Sequence, residues 1–70
     1  MHEEYNIQIS FNRVKVGRKF VERIFGRSVL YRKLVEDKDA NGMAYNAVIF
    51  TPVSAEPCYF HAEDQVYTTQ

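Results

Sequence analysis

Cys58 is the only cysteine in the chain, and tryptophan is absent. One thiol excludes an internal disulfide and, with no signal-like apolar stretch, fits a reducing cytosol. Long hydrophobic runs are missing as well. Ser28-Val-Leu-Tyr and Ala47-Val-Ile-Phe are among the longest, far below the ~20 apolar residues that span a bilayer. A membrane protein is therefore not expected. No glycine-rich loop is available to cradle a phosphate, and no serine sits in a strand-to-helix glycine elbow. Those absences argue against an enzyme and against a bound cofactor.

The chain is a single domain of 70 residues, and a chain this short buries only about 60% of the surface it exposes when unfolded. Its core must be thin. The net charge is zero, yet the signs are segregated along the sequence. From Arg13 to Lys33 there are eight cations and one anion, Glu22, whereas from Leu34 onward Lys38 faces six carboxylates. This is either a true basic patch or a distribution that folding neutralises.

Tyr5 to Phe11 alternates apolar and polar residues, the mark of a half-buried strand. In Gly17 to Phe25 the apolar residues Phe20, Val21, Ile24 and Phe25 stand at i, i+1, i+4 and i+5, which predicts a short amphipathic helix ending near Gly26. Val29 to Glu36 fits a strand or a helix, and Met43 to Thr51 reads as a strand that stops at Pro52. A further strand is expected from Cys58 to Ala62 after a Ser54-Ala-Glu-Pro turn, with a short edge segment around Val66 and Tyr67. The expected fold is α+β, an antiparallel sheet of three to four strands with one short helix packed on one face, in the order β-α-β-β-β. A small all-β barrel is the alternative.

Two local constellations invite chemistry. Residues 37 to 42, Asp-Lys-Asp-Ala-Asn-Gly, match the first half of an EF-hand loop through Asp37, Asp39, Asn41 and Gly42. The twelfth position, where a bidentate glutamate must close the cage, is Val48, so the segment reads as a hairpin turn ending in Asn-Gly. Cys58 and His61 would face opposite sides of a strand, and His2 is the only other imidazole, so neither a metal site nor a nucleophile pair is expected. A helix-turn-helix reading of Arg18 to Val35 fails because Glu22, Arg27 and Arg32 fall at positions that must be small or apolar.

Five tyrosines and five phenylalanines are a heavy aromatic load for this volume, and tyrosine and arginine are enriched at protein–protein hot spots. The leading expectation is a non-catalytic binding protein that occludes a protein partner, in the manner of small inhibitors from phages or mobile elements. Its expected contacts are Arg18, Lys19, Arg23, Arg27, Tyr31 and Arg32, with Glu36, Asp37, Asp39, Glu63 and Asp64 as a second, acidic surface. DNA or RNA binding through the basic segment is the alternative, and a homodimer through an edge strand is a further expectation.

Overall fold

A computed structural model describes residues 4–69. Alternating or β-branched segments give six strands: β1 Ile7–Ser10, β2 Lys19–Ile24, β3 Arg27–Lys38, β4 Ala44–Phe50, β5 Ala55–Cys58 and β6 Gln65–Thr68. They form one open antiparallel sheet in the order β1-β6-β2-β3-β4-β5. The expected α+β fold is thereby corrected. Among the described residues the only helical element is a 3-10 turn, Phe11–Arg13, and the segment expected as a helix is β2. The sheet also stays open, with β1 and β5 at its edges, so the barrel alternative does not describe it.

The reason lies in how β2 is covered. Phe20 points into the core, while Val21, on the other face, is also buried, beside Leu30 of β3 and Tyr67 of β6. A strand buried at neighbouring positions on both faces produces adjacent apolar pairs, which imitate a helical stripe. Phe25 and Gly26 then make the two-residue turn between β2 and β3, with φ of 50° and 78°. Positive φ at both positions is the signature of a type I′ hairpin turn. Phe25 is fully exposed, so nothing offsets the cost of holding a bulky L-residue there, about 1–2 kcal/mol. Phe25→Asn is expected to stabilise the protein by roughly 1 kcal/mol, seen as a higher urea midpoint with unchanged slope. A lower midpoint would mean that the ring is held by contacts the turn geometry does not explain.

The Asp39 to Met43 bend closes the β3–β4 hairpin as the sequence suggests. Asp39 exchanges backbone hydrogen bonds with Met43 and Gly42, and Gly42 takes φ 79°. The Asp39 carboxylate Oδ1 accepts the N–H groups of Asn41 and Met43, both at 2.9 Å. That carboxylate is engaged in shaping the turn. The next turn differs from expectation. It is closed at Thr51 and Ser54, with Thr51 Oγ1 accepting the Ser54 N–H at 2.9 Å, so Ala55-Glu-Pro belongs to β5. The strand expected from Cys58 to Ala62 ends at Cys58, and the tail segment, β6, is inserted between β1 and β2 instead of lying at an edge.

One face of the sheet carries the core: Phe11, Val14, Phe20, Tyr31, Ala47, Phe60 and Val66. Phe20 stacks on Tyr31 at 5.3 Å and meets Phe11 and Phe60 edge-on at 5.4 and 5.1 Å. Such pairs contribute about 0.5–1.5 kcal/mol each beyond the area they bury. Two connections supply Phe11 and Phe60 to this face: the β1–β2 segment and the β5–β6 segment.

Candidate binding cleft

β3 is twelve residues long, and β2 covers only its first half. The ladder runs from Ile24↔Arg27 to Lys19↔Arg32, then closes with Lys33 N–H to Arg18 O at 3.0 Å and Gly17 N–H to Lys33 O at 2.8 Å. Gly17 turns the chain away, at φ 91°. Among the described residues no backbone group pairs with the β2 side of β3 beyond Lys33. On its other side, β3 remains paired with β4 through a register shift between Lys33 and Asp37. Such bulges re-aim side chains and bend the strand.

Beside this unpaired half lies a cleft of about 360 Å³, bounded by the two crossing connections and by Lys33–Glu36. Its apolar lining includes Phe11, Val16, Leu34, Val35, Tyr59 and Phe60. Val16, Val35 and Tyr59 are 57%, 71% and 47% exposed, so three large apolar side chains meet solvent in one concavity. A patch of that kind on a small protein marks an interaction surface more often than an isolated exposed residue does.

Polar groups fix the cleft's walls. Asn46 is buried and clasps the backbone of Phe60, donating from Nδ2 to its carbonyl and accepting its N–H at Oδ1, both at 2.8 Å. Lys33 Nζ donates to the Phe11 carbonyl at 2.9 Å and lies 4.4 Å from the centre of the Phe11 ring. Partial burial lowers the Lys33 pKa from its ordinary value. Glu36 supplies a carboxylate at the rim. Below the floor, the Tyr31 hydroxyl donates to Glu22 at 2.9 Å, and burial followed by the Glu22 carboxylate drives its pKa well above the usual phenol range. Burial, with a contribution from Glu22, also pushes the Cys58 thiol up to about 11. Cys58 is therefore protonated at neutral pH and a poor nucleophile. His61 makes an edge-on ring contact with Tyr59 at 5.4 Å, and its backbone N–H is accepted by the Asp64 carboxylate at 2.9 Å. Among the described residues no group of three or more His, Cys, Asp or Glu is arranged to hold a metal ion.

The residues singled out from the sequence are distributed differently. Lys19, Arg23 and Arg32 share the outer face of the sheet, opposite the core, with Arg18 at its margin. Arg27, paired with Ile24, falls on the other face. Tyr31 is 6% exposed and belongs to the core. The acidic set is split. Glu36, Asp37 and Asp39 lie on β3 and its turn, while Glu63 and Asp64 lie in the β5–β6 connection, where the Asp64 carbonyl accepts the Phe11 N–H at 2.8 Å. Among the described residues no lysine or arginine comes within 4.0 Å of a carboxylate, so folding does not pair the segregated charges. The cleft residues Val16, Val35, Asn46 and Tyr59 were not singled out from sequence. No local pattern marks them, because the cleft forms only where β2 stops short of β3.

Comparison with known protein families, with curated proteins and with solved structures finds no match for this chain.

Proposed function

We propose that the protein is a non-catalytic binding protein that takes up an extended segment of a protein partner along the open half of β3. The observation that carries this reading is the juxtaposition of an unpaired strand edge with the apolar cleft containing Val16, Val35 and Tyr59. Strand addition draws its affinity from main-chain hydrogen bonds, and pockets for alternate side chains give it selectivity. A partner strand laid beside Leu34–Lys38 would set every second side chain toward the cleft. Holding a segment of a larger protein in this way suits a small module that modulates its partner by occlusion. The lone cysteine supports action in a reducing cytoplasm. Among the described residues no helix is long and apolar enough to cross a membrane.

Selection from a displayed library of random peptides tests the reading. Binders should show apolar residues at alternate positions, and Val35→Asp, at an exposed site where the fold tolerates charge, should weaken them at least about tenfold. Light scattering separates the homodimer, in which the same edge pairs with itself, because that species loses mass on dilution. Binders that hold Val35→Asp as tightly as wild type would remove the cleft from consideration.

A further inference from the structure

The outer face of the sheet has no part in peptide capture, yet its central rows carry charge of one sign. Along β2, Lys19, Val21 and Arg23 alternate on this face, and the register sets Arg32 and Leu30 of β3, Tyr67 of β6, and Val48 and Phe50 of β4 beside them. These rows hold three cations and no carboxylate, because Glu22 and Glu56 have the opposite parity. Arg18, Lys19 and Arg32 converge on a hollow of about 230 Å³ that also contains Gly17 and Thr69. Arg18 Nη2 reaches Thr69 Oγ1 at 3.5 Å, and Arg32 Nε is buried with no hydrogen-bond partner. Flat groups flank the hollow: the Arg23 guanidinium lies 4.1 Å from the centre of the Tyr67 ring, and that of Arg32 lies 5.5 Å from the centre of Phe50.

We infer that this face binds single-stranded nucleic acid, with a backbone phosphate in the hollow formed by Arg18, Lys19 and Arg32 and bases stacked on the Arg23–Tyr67 and Arg32–Phe50 planes. Cations without carboxylate partners gain affinity by releasing condensed counterions, and aromatic and guanidinium planes accept unpaired bases. The chain's overall neutrality is no obstacle, since Glu22 and Glu56, on the strands that build this surface, point to the other face.

The test is a fluorescence-anisotropy titration of labelled oligothymidine and of a duplex of equal length, between about 50 and 200 mM salt. One phosphate held in the hollow predicts a slope of log affinity on log salt of about −0.7 for the single strand, and Lys19→Gln should weaken its binding at least about threefold at the low-salt end. The single strand should bind at least about tenfold more tightly than the duplex, as stacking of about 1–3 kcal/mol per base requires. Val35→Asp should leave all three readings unchanged, so this inference stands or falls apart from the cleft. Equal affinity for the duplex, or Lys19→Gln binding as tight as wild type, would overturn it.

Discussion

Phe20→Ala is expected to cost about 3–5 kcal/mol, the range for emptying a fully buried aromatic site. A chain of this length has roughly 4–10 kcal/mol of stability in all, so the variant should sit near its unfolding threshold at 25 °C. The site cannot relax cheaply. Phe20 has no exposed surface, and its ring is held by Phe11, Tyr31 and Phe60, which come from three different parts of the chain. Loss of the ring would leave a void that no single segment can fill. Phe20→Leu keeps most of the volume and should recover more than half of the loss. Urea unfolding followed by circular dichroism measures both, and a Phe20→Ala midpoint within error of wild type would mean that this cluster is not the centre of the core.

Asn46→Ala should be the next most damaging change, at roughly 2–4 kcal/mol. The amide matches the N–H and carbonyl of Phe60 at 2.8 Å each and is the only buried polar side chain among the described residues. Alanine removes both partners at once and leaves two main-chain groups unpaired. Water entering the open cleft can recover part of the loss, which keeps the figure below the sum of two full desolvation penalties. Because Asn46 also sets the position of Tyr59 and Phe60 beside β3, peptide affinity should fall with stability. Variants that lower stability equally from the far side of the core, such as Val66→Ala, should spare binding once measured well below their melting temperatures. Equal binding losses in Asn46→Ala and Val66→Ala would show that the amide has no separate role at the cleft.

How far the sequence foretold this can be traced residue by residue. The β3–β4 hairpin was legible because Asn41-Gly42 requires a positive φ at a defined place and Val48 cannot close a calcium loop. The β1 alternation was legible because one face of that strand is polar. β2 was misread because Val21 is buried on the face opposite Phe20, by Tyr67 from 46 residues downstream, and no local pattern reports a cover from so far away. Phe25-Gly26 lacks the asparagine that usually announces a type I′ turn, so the glycine resembled a helix cap. Among site residues, the basic segment was visible as charge, but which cations share a face depends on strand register. The placement of Arg27 away from Lys19, Arg23 and Arg32 follows from that parity alone. The cleft was invisible for a related reason: it exists where β2 stops short of β3, and the stopping point is set by Gly17 acting with the pairing.

β6 pairs with β2 at Val21↔Tyr67, while β1 and β6 are zipped together over four pairs. The molecule thus has a seam. Main-chain pairing is thinnest there, so the packing of Val21 on Tyr67 and of Val66 in the core holds the terminal strands to the other four. Tyr67 and Arg23 stand on opposite banks of that seam and already touch across it. A strand of nucleic acid lying over both would act as a suture, and the ligand would be felt as a closing of the whole sheet as much as an occupied surface.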